Sequence, residues 1–201
     1  RVVNGGVLPM ITSCSPGWIN FIEIKYPDLL PHLSTAKSPQ GMFGALAKTY
    51  WPETQGIAVE DIYSVSIMPC TAKKAECVRP QLQSNPGIPD VDTVLTTREL
   101  ARMIKNAGID FKNLPEEEYD SPLGSSTGAA AIFGVTGGVM EAALRTVYSV
   151  LNSGADIPGI IFQPVRGMEG IKEATIEVPV NGEKVNVKLA VAHTLKNAKI
   201  L

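Results

Sequence analysis

Two alternating apolar stretches around one Asn-Gly dipeptide restrict the fold of this 201-residue chain more than any other feature. The segments ATIEVPV and EKVNVKLAVA place apolar and polar residues in turn, as strands with one buried face do. Asn181-Gly182 lies between them and is a dipeptide that suits a two-residue hairpin turn. The sequence therefore predicts an antiparallel hairpin near the end of the chain.

Strands and helices alternate along the rest of the sequence. We expect strands at VLPMIT, IYSVSIM, VDTVLTT and PGIIFQPVR, and helices over residues 17–25, after Ser38, over RELARMIKNA and after GVTGGV. Ser38 supplies an N-cap with Pro39 at the first helical position, and Thr96 with Glu99 forms a capping box. This alternation, with one hairpin, predicts an α/β fold with a mixed sheet.

A polar, acidic segment separates the predicted elements into two groups. Residues 109–130 contain LPEEEYDSPLGSSTG and show no helical or strand period, so they form a surface excursion or a boundary between lobes. We expect two lobes, residues 1–108 and 131–201, joined by residues 109–130. The first residue is not methionine, and the last residues, LKNAKIL, only begin a helical pattern. We therefore expect a piece of a longer polypeptide.

Composition excludes several classes of function. A net charge of -2 gives no reason to expect nucleic acid or an anionic membrane as a partner. No apolar run approaches the roughly 18 residues of a membrane span, and no signal peptide is visible. Three cysteines without a CxxC pair argue against a disulfide framework and favour a reducing compartment such as the cytoplasm. Two histidines are too few for a histidine-based metal site.

The stretch MPCTAKKAEC places Cys70 directly after a predicted strand. If a helix starts there, Cys70, Lys73 and Glu76 lie on one face, and the helix N-terminus with a nearby ammonium favours a metal-binding thiolate. The alternative is a buried structural cysteine beside a solvated run of charges, since free cysteine is commonly buried. For Cys77 we expect the structural role.

Two further motifs are ambiguous when taken alone. In TSCSPGW, Cys14 fits a catalytic group, a metal ligand or a packed side chain. A thiol nucleophile usually needs a histidine base, and neither histidine has a suggestive context, so a cysteine protease is a weak candidate. GVTGGV lacks both the dinucleotide-binding glycine pattern and the lysine-hydroxyl pair of a phosphate loop. Glycines that allow close packing of a strand and a helix are the better interpretation.

Taken together, the motifs point to one family. The order TSCSPGW, STAKSPQ, MPCTAKKAE, TTREL, AIFGVTGGVMEAALR, VRGMEGIKEA closely resembles the catalytic domain of [FeFe]-hydrogenases, the iron-only hydrogenases, over nearly the whole chain. The resemblance implies a two-lobed α/β domain, with mixed β-sheets flanked by helices, that holds the H-cluster between its lobes. That cofactor is a [4Fe-4S] cubane linked to a two-iron unit with CO, cyanide and an azadithiolate. The implied reaction is the reversible reduction of protons to dihydrogen.

The resemblance also implies roles for individual residues. Cys14 matches the residue that passes protons to the bridging amine, and Ser34 and Glu76 match further members of the proton path. A thiol, a hydroxyl and a carboxyl each both give and take a proton, which suits a relay. Cys70 matches a cubane ligand, and Lys73 matches the lysine that donates a hydrogen bond to a cyanide. The residues that match the lining of the cofactor pocket are Pro39, Gln40, Met68, Phe133 and Val139.

Ser15 departs from the common family pattern. Family members often read TSCC here, and the second cysteine ligates the cubane, so Ser15 takes the position of a metal ligand. A serine oxygen is a harder and more basic ligand than a thiolate, and would bind the cubane less well or shift its potential. Cys70 and Ser15 alone are too few for a cubane, and the family's third cysteine motif is expected beyond Leu201. We therefore expect the H-cluster only in the complete protein.

The resemblance leaves more than one function open. As an enzyme, the protein would act on dihydrogen and protons, receive electrons from ferredoxin or NAD-linked subunits, and need maturation proteins. The alternative is a non-catalytic, hydrogenase-like protein of iron–sulfur cluster assembly, and a third possibility is a sensory relative. The enzyme is favoured because the chain retains the whole set Cys14, Ser34, Met68, Lys73 and Glu76.

Overall fold

The structure, a computed structural model, describes residues 5–125, 128–157, 159, 162–180 and 182–201. It divides into two units, Val7–Gly124 and Ser125–Leu201, the latter with Gly5 and Gly6. The division lies inside residues 109–130, where the sequence loses its periodic pattern. Each unit has its own sheet: two parallel strands in the first and three antiparallel strands in the second.

The first unit surrounds a short parallel sheet with helices. Strand β1 is Val65–Met68 and β2 is Thr93–Thr96, with Val65 opposite Thr93 and Met68 opposite Thr96. The α-helices are α1 Pro16–Lys25, α2 Pro39–Lys48, α3 Tyr50–Gln55, α4 Ala72–Cys77 and α5 Thr97–Asn106. The most deeply buried apolar side chains described in this unit are Ile22, Val91 and Val94.

Both helix caps predicted in this unit are confirmed. The Ser38 hydroxyl accepts a hydrogen bond from the backbone N–H of Gly41 at 3.2 Å and caps α2. At α5, the Thr96 hydroxyl accepts from the Glu99 N–H at 3.2 Å, and the Glu99 carboxylate accepts from the Thr96 N–H at 2.7 Å. Gly108, with φ +68°, follows α5 in the left-handed region that favours glycine.

Buried Lys48, the last residue of α2, anchors the chain before β2 to this helix. Lys48 is only 2% exposed, and its ammonium lies 2.8 Å from Asp92 and also donates to the Ile62 carbonyl. Burial alone would raise the pKa of Asp92, but hydrogen bonds from Lys48 and Ser64 outweigh burial and hold that pKa below its ordinary value. The carboxylate of Asp92 is therefore ionised at neutral pH.

The second unit contains the predicted hairpin. Strand β3, Gln163–Pro164, pairs with β4, Ile171–Val180, and β4 pairs antiparallel with β5, Glu183–Ala192. The hairpin is confirmed: Gly182 has φ +85°, while Asn181 lies outside the described residues. The helices of this unit are α6 Ala129–Ile132, α7 Gly138–Leu151 and α8 Leu195–Ile200.

The glycines of GVTGGV lie where helix α7 meets the sheet. A Cβ on Gly137 would come within 2.8 Å of a Val191 methyl carbon on β5. A Cβ on Gly138 would lie 1.8 Å from the carbonyl oxygen of Ile132. Close packing therefore explains these glycines, as the sequence indicates.

Two strand predictions are wrong or only partly met. VLPMIT forms no strand; only Ile11 makes a single parallel bridge, to Leu33. Pro9 lacks an N–H group, which weakens a ladder at this point. In PGIIFQPVR only Gln163–Pro164 is a strand, and residues 158, 160 and 161 lie outside the described residues.

Among the helices of the described residues, none combines the length and the apolar character needed to cross a membrane.

Candidate functional site

The connection between β1 and α4 carries the cysteine motif. Strand β1 ends at Met68 and α4 begins only at Ala72, so Cys70 lies in the connecting turn with an exposed thiol. A helix that starts at Cys70 is the condition for Cys70 to share a face with Lys73 and Glu76. The structure does not meet this condition, because α4 starts two residues later, at Ala72. Lys73 and Glu76 do share a face of α4, one turn apart.

Lys73 and Glu76 form a buried ion pair. Lys73 is 8% exposed and Glu76 is 6% exposed. The ammonium of Lys73 lies 2.9 Å from Oε2 and 3.1 Å from Oε1 of Glu76. It also donates to the backbone carbonyl oxygen of Cys14 at 2.7 Å. Lys73 belongs to the motif that contains Cys70, and through this bond it contacts the motif that contains Cys14. The two cysteines are 56 positions apart (70 − 14).

Ser38 completes this cluster. Its hydroxyl donates a hydrogen bond to Oε1 of Glu76 and accepts one from the N–H of Gly41. Ser38 is 4% exposed. The sequence predicts only a capping role for Ser38. Nothing in the spacing of Ser38 and Glu76 indicates that a cap on one helix reaches a carboxylate on another. We refer to Cys14, Ser38, Lys73 and Glu76 as the lysine cluster.

Ser34 lies beside the Cys14 segment but outside the lysine cluster. Its backbone N–H donates to the carbonyl of Ile11 at 2.7 Å, and its hydroxyl accepts from the N–H of Ala36 at 3.2 Å. The Ser13 hydroxyl donates to the Ala36 carbonyl at 2.8 Å, which fixes the two segments side by side. In the described part of the chain, no hydrogen bond joins the Ser34 hydroxyl directly to Glu76 or to the Cys14 thiol.

A groove of about 520 Å³ lies between α2 and β1. Three residues predicted to line the cofactor pocket, Pro39, Gln40 and Met68, are part of its wall. Gln40 is buried, and its side-chain oxygen accepts a hydrogen bond from the Ser66 hydroxyl at 2.9 Å. The other wall residues are mostly apolar: Phe43, Gly44, Ala47, Trp51, Ile62, Ser64, Val65, Ser66, Ile67, Val91, Pro122 and Leu123.

The two remaining predicted pocket residues belong to the second unit. Phe133 follows α6 and is 39% exposed. Val139 is half-buried in the first turn of α7.

The predicted metal ligands do not form a complete iron site by themselves. Cys70 and Ser15 are both exposed, and Ser15 precedes α1 without a side-chain capping bond. Within the described ranges, no group of three His, Cys, Asp or Glu side chains is arranged to hold a metal ion. Since a [4Fe-4S] cubane takes four thiolates in most proteins, these residues fit only part of a ligand set.

Cys77 differs chemically from Cys70. It is half-buried at the end of α4, and its thiol donates to the Lys74 carbonyl at 3.2 Å. Burial raises the pKa of the Cys77 thiol, and the negative charges of Glu76 and Asp92 raise it further. Cys77 is therefore a neutral thiol at pH 7, in keeping with a structural role.

Comparison with known proteins identifies the family. Residues 1–201 match the profile of the iron only hydrogenase large subunit, C-terminal domain. The chain belongs to this family. It is 55% identical over 194 residues to the NADP-reducing hydrogenase subunit HndD of Solidesulfovibrio fructosivorans, covering 96% of this chain and 32% of that protein. It is also 55% identical over 192 residues to the periplasmic [Fe] hydrogenase large subunit of Nitratidesulfovibrio vulgaris, covering 96% and 44%.

A solved structure supports the same iron-only hydrogenase fold. The apo [FeFe]-hydrogenase HydA1 from Chlamydomonas reinhardtii matches with a TM-score of 0.81 and 41% identity, over 96% of this chain and 54% of that chain. The two-lobed α/β fold class implied by the motifs is therefore confirmed as that of the hydrogenase family. The chain spans 32% and 44% of the length of these two hydrogenase subunits.

Relatives of a second kind are more distant. The cytosolic iron-sulfur assembly component 3 of Pongo abelii is 32% identical over 199 residues, covering 96% of this chain and 41% of that protein. The family thus includes both hydrogenases and proteins named for iron–sulfur assembly.

Proposed function

We propose that this chain is part of the catalytic domain of an [FeFe]-hydrogenase that reversibly reduces protons to dihydrogen. One observation carries the proposal: with 96% of the chain covered in each comparison, identity is 55% to a hydrogenase subunit and 32% to an iron–sulfur assembly component. The chain also retains the full set of residues that the hydrogenase function is expected to need: Cys14, Ser34, Met68, Lys73 and Glu76.

The proposed cofactor is the H-cluster of the complete protein, which when bound would supply the metal site where protons and electrons combine. Cys70 would provide a thiolate ligand and Ser15 an oxygen ligand or a close hydrogen bond. Because a cubane needs more thiolates than the described residues bring together, we propose that further ligands come from outside residues 1–201. Pro39, Gln40 and Met68, which line the groove between α2 and β1, would contribute to the cofactor pocket.

In this proposal the chain's own residues supply protons and hydrogen bonds. Cys14 passes a proton through its thiol, and Ser34 follows it in the relay. Lys73 donates to an anionic ligand, as its three N–H groups allow. Glu76 is also a member of the proposed proton relay. Its buried ion pair with Lys73 supports a second role, which is to hold the ammonium in place.

The proposed partners are protons and dihydrogen, an electron carrier and maturation proteins. The similarity to a subunit named NADP-reducing supports an NAD-linked electron-transfer subunit, and ferredoxin is the alternative carrier. We propose the cytoplasm as the compartment, because three cysteines without a CxxC pair suit a reducing environment.

The competing function is non-catalytic iron–sulfur cluster assembly, which the 32% identity to an assembly component supports. Such a protein needs no proton relay to a two-iron unit. The two functions therefore differ in whether the loaded protein exchanges protons with dihydrogen.

Isotope exchange in the complete protein tests the proposal. After expression with maturation proteins, the protein is incubated anaerobically with D₂ in H₂O, and the gas is followed by mass spectrometry. We expect HD and H₂ to form, together with CO and cyanide bands in the infrared spectrum. A protein that holds iron but shows neither the bands nor exchange belongs to the assembly class instead.

A further inference from the structure

The Lys73 ammonium has three N–H groups, and the structure gives it three acceptor oxygens. Two belong to Glu76, at 2.9 and 3.1 Å, and the third is the carbonyl of Cys14 at 2.7 Å. An ammonium has no further donor to offer. Lys73 therefore reaches an additional anionic ligand only if it gives up one of these contacts.

The longest of the three contacts is the one that can be released. It joins Lys73 to Oε1 of Glu76, the same oxygen that accepts the Ser38 hydroxyl. If Lys73 leaves Oε1, Ser38 still satisfies that oxygen. Without Ser38, Glu76 loses the contact that fixes its carboxylate, and the carboxylate and its paired ammonium can shift together.

We propose that Ser38 is a positioning residue that acts through Glu76 on Lys73. Its hydroxyl fixes one carboxylate oxygen of Glu76, which aims the ammonium and leaves one N–H available for an anionic ligand of the site. The ligand belongs to the proposed hydrogenase function, on which this inference rests. The effect on Lys73 itself does not depend on any cofactor.

The geometry separates this role from capping. The Ser38 oxygen caps α2 with a lone pair, and its proton goes to Glu76, so the two tasks use different parts of the same hydroxyl. Serine and threonine do both. Aspartate is an equally good cap but has no proton to donate when ionised, and its charge repels Glu76. Alanine does neither.

Lysine labelling of the complete protein, prepared without its cofactor, tests the positioning directly. Lys73 is buried in the wild type, whereas exposed Lys112 lies outside the lysine cluster and serves as the internal standard. We expect reductive methylation of Lys73, read by mass spectrometry, to become about tenfold faster in Ser38→Ala and in Ser38→Asp, since each loses a hydrogen bond to a charged group.

Two controls separate positioning from structural damage. Ser38→Thr keeps the hydroxyl and should label like the wild type. Thr96→Ala removes a cap from α5 without touching the lysine cluster, and should also leave Lys73 protected. Wild-type protection of Lys73 in both Ser38→Ala and Ser38→Asp would overturn the inference. Equal loss of protection in Thr96→Ala would overturn it too, because capping alone would then explain the effect.

Infrared spectroscopy of the loaded protein separates this inference from the proposed function. Ser38→Ala should shift the cyanide bands with little loss of iron, and Ser38→Thr should restore them. Unshifted bands in Ser38→Ala would show that Ser38 does not aim Lys73 at the ligand. Absence of all CO and cyanide bands from the wild type would instead refute the proposed function, and the labelling result would still decide the positioning of Lys73.

Discussion

Lys73 is held by groups from three separate parts of the chain. Glu76 comes from its own helix, the Cys14 carbonyl from the segment before α1, and Ser38, through Glu76, from the cap of α2. A buried ammonium is stable only when its charge is paired and its N–H groups are hydrogen-bonded. The lysine cluster satisfies both needs and links the two cysteine motifs.

The sequence predicts only part of this cluster. The spacing of Lys73 and Glu76 indicates a pair on one helix face, and the structure confirms it. Their burial was not predictable, because the run KKAE is equally typical of a solvated helix surface. The contact to Cys14 uses a backbone carbonyl, which carries no signal in the residue type. Only the tertiary fold brings these groups together.

Cys70 and Cys77 make a matched pair for testing iron ligation. In the complete protein, Cys70→Ala should lower the bound iron substantially, because it removes the proposed thiolate ligand of the cubane. Cys77→Ala should keep its iron, since that half-buried thiol only donates to a backbone carbonyl. Iron per polypeptide, measured after anaerobic purification, checks both variants. Unchanged iron in Cys70→Ala would remove Cys70 from the ligand set.

Ser15 tests whether an oxygen replaces the usual thiolate. If Ser15 ligates the cubane, Ser15→Ala should weaken or distort the cluster. Ser15→Cys should move its reduction potential, because thiolate and alkoxide ligands differ in basicity. Electron paramagnetic resonance and redox titration of the complete protein measure both effects. Identical spectra and potentials in the wild type and both variants would exclude Ser15 as a ligand.

At the scale of elements, local signals predicted the helix starts and the hairpin well. Ser38 and the Thr96–Glu99 pair cap their helices through contacts within four residues, so the sequence alone contains the whole interaction. VLPMIT was mistaken for a strand because an apolar run does not reveal whether a pairing partner exists. Lys48 was likewise not predicted as buried, since its partner Asp92 lies 44 positions away (92 − 48).

Gly44 fixes the distance between α2 and the segment before β2. A Cβ there would lie 2.6 Å from a Val91 methyl carbon and 2.8 Å from the Asp90 carbonyl oxygen. Gly44→Ala should lower the free energy of unfolding by about 1–3 kcal/mol, as overpacking does. Gly17→Ala in α1 is the control, because nothing lies within 4 Å of its Cβ position. Chemical denaturation measures both; equal stability of the two variants would show that α2 adjusts freely.

The Lys48–Asp92 pair makes stability depend on pH. The folded pKa of Asp92 lies below its ordinary value of 3.8, so its stabilisation is present above that pH and is lost as the pH falls through the folded pKa. The wild type should therefore lose stability more steeply than Asp92→Asn between about pH 5 and about pH 2. Exposed Asp120→Asn controls for the loss of one carboxylate. Parallel pH profiles for the wild type and Asp92→Asn would contradict this expectation.

At the scale of the whole molecule, the family and fold were predictable from six motifs in a fixed order, and the comparisons confirm both. The motifs identify the family because six of them occur in one order over nearly the whole chain. Membership of the family does not by itself establish catalysis by this protein, because the chain covers only 32–44% of the hydrogenase subunits it matches. Among the proposed roles, that of Cys14 as the proton donor matters most for catalysis.

The role of Cys14 as the proton donor is tested most directly by dihydrogen production. This is measured for the complete, matured protein as the wild type and as Cys14→Ala. Reduced methyl viologen supplies the electrons, and iron content and infrared bands are recorded on the same samples. We predict that Cys14→Ala retains its iron and its CO and cyanide bands but loses activity by at least about 100-fold, the scale of a positioned proton donor. Activity near that of the wild type, or a loss of iron in step with activity, would contradict the account.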